Sequence, residues 1–102
     1  MFILNEIEKK VLDWANERGL IEETTAEKQV IKLMEEVGEL SKAILCDDLA
    51  EAVDAIGDCT VVLTNMAAKL DVSLEHCYKT AYDTIKNRTG KMINGTFVKD
   101  KK

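Results

Sequence analysis

Apolar side chains recur at three- and four-residue intervals along most of the chain, and each such run implies an amphipathic helix. Ile3, Leu4, Ile7, Val11, Trp14 and Ala15 predict the first, over 3–18, with Asn5 and Glu8 as a capping box and Gly19 as its stop. A looser polar stretch, Gly19 to Glu23, comes next. The second helix, 25–46, starts at Thr24 or Thr25, with Glu27 three residues after Thr24, and carries Val30, Leu33, Met34, Val37, Leu40 and Ile44 as its core stripe. Cys46-Asp47-Asp48 marks a short break. A third helix, 49–70, presents Leu49, Val53, Ile56, Leu63, Ala67 and Leu70. Thr60 falls in that stripe, where its hydroxyl can return to the preceding turn. Asp71-Val72 is a tight link, and Ser73 caps a fourth helix, 73–89, that buries Leu74, Cys77, Tyr78, Ala81 and Ile85. Asn94-Gly95 between Met92-Ile93 and Phe97-Val98 predicts a type I′ hairpin over 91–99.

Short links make successive helices antiparallel neighbours, so the expected fold is all-α: an antiparallel four-helix bundle with a short C-terminal β-hairpin. The 102 residues, 46% hydrophobic and 32% charged with no proline, suit one domain spanning 1–102. A core of this size is modest, and assembly into a homodimer or homotetramer would bury more apolar surface. The net charge of −5 argues against nucleic acid as a partner, because phosphate-backbone binders present basic surfaces. No apolar run reaches membrane-spanning length, and Met1–Asn5 lacks the regions of a signal peptide. Cys46, Cys59 and Cys77 are odd in number and show no Cys-x-x-Cys spacing. They read as reduced thiols of a cytoplasmic protein, each a small buried apolar residue rather than part of a disulfide frame or zinc site.

Charge changes the picture between residues 35 and 58. Glu35, Glu36, Glu39, Asp47, Asp48, Glu51, Asp54 and Asp58 crowd this window, with Lys42 the sole base among them. At ~100° per residue, Glu36 and Glu39 fall on one stripe bordering the Val37/Leu40 face, whereas Glu35 points farther toward solvent. Glu51, Asp54 and Asp58 form a second stripe on the next helix, which Asn65 continues. Two antiparallel helices with such stripes beside their packing seam bring the carboxylates together. Like charges at close range repel unless a cation sits between them, and Mg²⁺ suits an all-oxygen site that must also accept phosphates. Gly38 and Gly57 sit inside helices beside acids, at a cost of about 1 kcal/mol each against alanine, which close approach of the two helices would explain. Basic residues are segregated. Lys86, Arg88, Lys91, Lys99, Lys101 and Lys102 fall at the C-terminal end against Asp100 alone, with Lys79 two helical turns before Lys86. An acidic metal seam beside a basic segment suits a polyphosphate. For Lys86 and Arg88, compensation of a helix C-terminal dipole is an equally good reading.

Glu35-Glu36-Val37-Gly38-Glu39-Leu40 resembles the Glu-Glu-x-x-Glu motif of the MazG-like, all-α nucleoside triphosphate pyrophosphohydrolases, which carry an acidic pair, usually Glu-x-x-Asp, on the next helix. Trp14 to Gly19 resembles the end of that family's first helix, and Gln29 to Met34 its approach to the motif. Gly57-Asp58 with Leu70-Asp71-Val72-Ser73-Leu74 matches the second half, and Ile85 to Met92 with Asn94-Gly95 and Phe97-Val98 resembles the tail of small phage-type members. The likeness covers about nine-tenths of the chain. One departure stands out. Aligning the stretch up to Ser73 puts the family's Asp at Asp58 and Ala55 where its partner Glu would stand. Asp54 can still reach the same ion, or Glu51-Ala52-Val53-Asp54 is itself the pair with Asp58 one turn on.

The resemblance implies Mg²⁺-dependent (or Mn²⁺-dependent) hydrolysis of a nucleoside triphosphate between its α- and β-phosphates, giving a monophosphate and pyrophosphate. It implies Glu36, Glu39, Asp54 and Asp58 as principal ligands, Glu51 as a further one, and Glu35 as an outer residue or the one that orients the attacking water. Lys79, Lys86 and Arg88 would steady the phosphates. Trp14 either stacks on the base or fills the core, and Asn65 either bonds a base edge or sits in a polar seam. In this family the base pocket commonly involves a second subunit. Relatives that hydrolyse dUTP or dUDP, or phosphoribosyl-ATP, are the enzymatic alternatives. A ferritin-like di-iron bundle would need Glu-x-x-His pairs, and the sole histidine, His76, has no such partner. A non-catalytic nucleotide-binding or adaptor bundle is the alternative of another class, kept open by Ala55.

Overall fold

The computed structural model describes residues 4–101, so Ile3 of the first stripe and Lys102 lie outside it. Five helices, α1 (Leu4–Glu17), α2 (Leu20–Glu23), α3 (Ala26–Leu45), α4 (Leu49–Lys69) and α5 (Leu74–Ile85), precede the strands β1 (Gly90–Ile93) and β2 (Thr96–Lys99). The fold is all-α with a terminal hairpin, as the periodicity implies. Two boundaries differ. The stretch after Gly19 is a helical turn, α2, and Gly19 itself adopts φ 72°, which ends α1 and redirects the chain. The last helix stops at Ile85, four residues short of the expected end, because Arg88 N–H bonds back to Ile85 in a turn and Gly90 already pairs with Lys99 in the hairpin.

Both ends of the α3–α4 hairpin are set by aspartates. After α3, Asp47 takes a left-handed φ of 53° while its N–H reaches Ile44 and that of Asp48 reaches Ala43; after α4, Asp71 at φ 64° and Val72 repeat the arrangement on Ala68 and Ala67. These are Schellman motifs with aspartate in the position glycine usually fills, tolerated because a short polar side chain suits that conformation. Asp48 then turns to a second task. Its side chain accepts Glu51 N–H at 3.1 Å as the N-cap of α4, so a three-residue connection closes one helix and opens the next. Thr25 and Ser73 cap α3 and α5 in the same way. Thr60 returns its hydroxyl to Ile56 O, as its place in the stripe predicts.

Glu8 does not close a capping box with Asn5. Its buried carboxylate crosses from α1 to accept the N–H groups of Leu74 and Glu75, at 2.5 and 3.2 Å, fastening the start of α5. The negative charge sits where the α5 dipole is positive, and two orphan donors are satisfied at once.

Helix α4 is the hub: α1, α2, α3 and α5 all pack on it, whereas α3 touches only α4 among the described residues. The buried apolar positions are small, namely Ala15, Ala43, Ala52, Ala55, Val62 and Ala67. The close approach expected at Gly38 and Gly57 is absent, since a Cβ at either would meet nothing within 4 Å. Much of the expected core is open too. Val30, Met34, Val37 and Ile44 on α3, Leu49, Val53 and Ile56 on α4, and Tyr78 and Ile85 on α5 are all exposed. Cys46 and Cys77 are exposed and Cys59 half-buried, all three as free thiols, so the expectation of buried cysteines fails. The physical reason is shared: the stripes are amphipathic as predicted, but one copy supplies no second layer to cover them. The radius of gyration is 16.1 Å, against ~13 Å for a compact chain of this length. No described helix is long and apolar enough to cross a membrane.

Candidate functional site

The antiparallel α3–α4 pair brings Glu36 and Glu39, one turn apart on α3, to face Asp58 on α4. Carboxylate oxygens of the three lie within 4.8 Å of one another. Glu36 is only 7% exposed, and its Oε2 is buried with no hydrogen-bond partner. Its other oxygen, Oε1, lies 3.3 Å from Lys32 Nζ. The negative charge of Glu36, then partial burial, pushes the Glu39 carboxyl above its ordinary range. Burial raises that of Asp58 first, and the charges of Asp54 and Glu36 add to it. Burial and the acids Glu36 and Asp58 raise the Cys59 thiol nearby.

A cluster held at this cost, with one buried oxygen lacking a donor, fits a hard divalent cation. The donors are all oxygen, which suits Mg²⁺ or Mn²⁺ over zinc or copper. Three side chains leave room for water and phosphate in the remaining positions.

The other predicted residues are distributed around this centre. Asp54 is exposed one turn before Asp58 and bears on its charge. Glu51 stands farther along, lining a recess of about 450 Å³ with Glu39, Lys42, Ala43, Cys46 and Asp48. Glu35 points outward, as its helical angle implies, and lies 3.6 Å from Lys32. Ala55, at 2% exposure, is packed inside.

Helices α1 and α4 form an apolar cleft that Asp58 also lines. Trp14, Ile7, Val11, Lys10 and Val61 line its outer part, a space of about 390 Å³. Val53, Gly57 and Thr64 line its continuation. Trp14 is therefore half-open at a cleft mouth rather than buried in a core, and the open space at Gly57 belongs to this cleft. Asn65 is buried on α4 with its Oδ1 unpartnered. The basic residues stand apart. Lys79 pairs with Glu75 at 3.3 Å and Lys86 with Asp83 at 3.1 Å. Arg88 lines a separate recess with Thr84, Asn87, Thr89, Lys99, Asp100 and Lys101. None of the three lines the recesses that hold Glu39 or Asp58.

Three residues gain a place that the sequence did not single out. Lys32 lies one turn before Glu36, a spacing that could have revealed it. Lys10 lines the outer cleft from α1, and only tertiary packing brings it to a recess that Asp58 also lines. Arg18 lays its guanidinium 4.4 Å over the Trp14 ring and donates to Trp14 O at 2.9 Å, holding the indole in position.

The family model for phosphoribosyl-ATP pyrophosphohydrolase, part of the MazG-like superfamily, matches residues 13–84, which include all three clustered carboxylates. An uncharacterized 18.2 kDa protein of the rep-hol intergenic region in Haemophilus phage HP1 (strain HP1c1) is 42% identical over 64 residues. That alignment covers 63% of this chain and 39% of the phage protein, so the chain spans well under half of that relative. No solved structure matches.

Proposed function

Because the chain belongs to the phosphoribosyl-ATP pyrophosphohydrolase family, within the MazG-like superfamily, we propose that it is a metal-dependent nucleotide pyrophosphohydrolase. It cleaves a nucleoside triphosphate between the α- and β-phosphates and releases a nucleoside monophosphate and pyrophosphate. The observation that carries this reading is the Glu36–Glu39–Asp58 cluster with its unpartnered Glu36 Oε2.

Glu36, Glu39 and Asp58 would hold the ion. When bound, Mg²⁺ or Mn²⁺ neutralises phosphate oxygens and acidifies water at the site. The chain's own groups do the rest. Asp54 stands close enough to Asp58 to share its charge and accepts the proton of the attacking water. Lys10, on α1, lines the same cleft as Asp58 and would face phosphate charge there. Trp14, fixed by Arg18, offers its ring to a base while Ile7 and Val11 exclude water behind it. Asn65 turns a buried acceptor toward a base edge, Glu51 lines the recess that Glu39 also lines, and Glu35 stands outside beside Lys32. Lys79, Lys86 and Arg88 steady the phosphates and the leaving pyrophosphate from a neighbouring copy in a homodimer or homotetramer.

Surface area supports the assembly. The chain exposes 8105 Å², whereas a folded monomer of its mass exposes ~5,800 Å². A second reading, phosphoribosyl-ATP as the substrate, is favoured by the matched family's own description. Incubation of the purified chain with Mg²⁺ and a panel of nucleoside triphosphates and phosphoribosyl-ATP tests both. Monophosphate with pyrophosphate from the triphosphates supports the first reading, and turnover of phosphoribosyl-ATP alone supports the second. A folded chain that hydrolyses neither is a binding protein.

A further inference from the structure

The Glu36–Glu39–Asp58 cluster already has a cation of its own, and a divalent ion entering it must displace that cation. Resting on the nucleotide reading above, we propose that Lys32 is a transferable counter-ion. It neutralises Glu36 in the metal-free chain and passes to a phosphate of the bound polyphosphate when the metal takes its place.

Lys32 stands one turn before Glu36 on α3, with its Nζ 3.3 Å from Glu36 Oε1. Among the described residues it is the only cation paired with a carboxylate of the cluster. Its charge is felt beyond that one contact. The charge of Glu36 pushes the Glu39 carboxyl up and burial does the same to Asp58, and Lys32 works against both shifts. The ammonium therefore bears on all three carboxylates. The two ends of the contact differ in freedom. The Glu36 side chain is 9% exposed and its Oε2 is buried without a partner, whereas that of Lys32 is 54% exposed on a long flexible stem.

An ion shared by the three carboxylates lies close to the ammonium, and like charges at such range repel. Glu36 is held and Lys32 is not, so the lysine moves. Two anions are within reach of its stem. Glu35, at 3.6 Å, is the nearer alternative. It is exposed on the same helix, and water screens a pair of that kind until it is worth little. A phosphate on the ion is the other. The buried Oε2 marks the inner side of the cluster, so the positions that the three carboxylates leave open face outward, past the exposed ammonium. Phosphate oxygens there accept charge-assisted hydrogen bonds and outcompete Glu35. Lys42 and Lys10 are placed differently, in the recess beside Glu39 and in the cleft that Asp58 also lines. One residue then acts with opposite signs on two ligands: Lys32 opposes the metal and favours the metal–nucleotide complex.

Titration calorimetry reads both signs without turnover. Wild type, Lys32→Met and Lys28→Met would be titrated with Mn²⁺ alone. At saturating Mn²⁺ they would then receive nucleoside triphosphates whose α–β bridging oxygen is replaced by methylene, which blocks the proposed cleavage. Lys28→Met removes the same charge from an exposed position one turn earlier on α3. For Lys32→Met the expected result is Mn²⁺ affinity several-fold higher and analogue affinity at least about tenfold lower. Its helical circular dichroism should be unchanged, and Lys28→Met should stay close to wild type with both ligands. Analogue binding as tight as wild type in Lys32→Met would overturn the transfer. Equal losses in the two variants would overturn it too, by making the effect one of net charge. Wild type that binds no Mn²⁺, or binds Mn²⁺ but none of the analogues, would overturn the nucleotide reading and the transfer with it.

Discussion

Lys32 Nζ lies 3.3 Å from Glu36 Oε1, one helical turn away, and offsets part of the charge of an acidic cluster that Glu39 and Asp58 complete. The lysine is largely exposed, whereas Glu36 is not, so the cation can swing away more readily than the carboxylate. The hydrogen bond to Glu36, then the charges of Glu36 and Glu35, raise the Lys32 ammonium above its ordinary range. It therefore competes with any ion at the cluster. Lys32→Met should bind Mn²⁺ several-fold more tightly by titration calorimetry, and should unfold at a lower temperature when metal-free. Unchanged or weaker Mn²⁺ binding would mean that the lysine does not face the bound ion.

The raised carboxyls of Glu39 and Asp58 add one pH-dependent contribution to the stability of the metal-free protein. Over the interval just above ordinary carboxylate values, the folded chain holds protons that the unfolded chain has released. The contribution of these two groups must then fall as pH rises through that interval, with their repulsion absent below it and fully present above it. Thermal melts from about pH 4 to pH 7 should show a larger decline for wild type than for Asp58→Asn. Saturating Mg²⁺ should reverse the difference in slope, because an ion that favours the ionised form makes the folded chain release protons that the unfolded chain still holds. Parallel slopes without metal would contradict the cluster's electrostatics.

Much of this fold is legible in the sequence because it is local. Thr25 and Ser73 cap the helices that their residue types predict, Asp48 in the predicted break caps α4, and Asn94-Gly95 forms the predicted turn. Glu36, Glu39 and Asp58 converge because helical spacing fixes their faces and a three-residue link fixes the pairing of α3 with α4. What is not legible depends on what lies across from each residue. Glu8 has the right spacing from Asn5 for a local cap, yet a stronger acceptor role waits at the start of α5, 66 residues away. Gly38 and Gly57 have the small size that a helix contact needs, whereas alanines such as Ala43 and Ala55 are the small residues that are buried. Periodicity identifies α3 and α5 as amphipathic, but the core positions it assigns to them, Val30, Met34, Tyr78 and Ile85 among them, are exposed.

Glu8 holds α5 to α1 through the N–H groups of Leu74 and Glu75. Glu8→Ala removes a buried, charge-assisted cap and leaves both donors without their acceptor. The expected loss is about 1–3 kcal/mol of unfolding free energy, read by urea denaturation. Hydrogen exchange should accelerate first at the start of α5. A loss below measurement error would show that Ser73 alone suffices as the cap.

Trp14 stands at the mouth of the α1–α4 cleft with Arg18 over one face of its ring. If the other face receives the base, Trp14→Ala should raise KM by roughly 5- to 100-fold, the worth of one stacked base, with a smaller effect on kcat. A variant that melts far below wild type while keeping its KM would assign the indole to packing instead.

The central claim is that the Glu36–Glu39–Asp58 cluster serves pyrophosphate release from a nucleotide, and product analysis tests it most directly. Wild type, Glu39→Gln and Asp58→Asn would each be given nucleoside triphosphates with Mg²⁺ or Mn²⁺, and products resolved by chromatography. The account predicts monophosphate and pyrophosphate from wild type, with turnover reduced at least about a hundredfold in both variants and their helical circular dichroism intact. Release of orthophosphate and a diphosphate, or wild-type turnover in both variants at saturating metal, would contradict it.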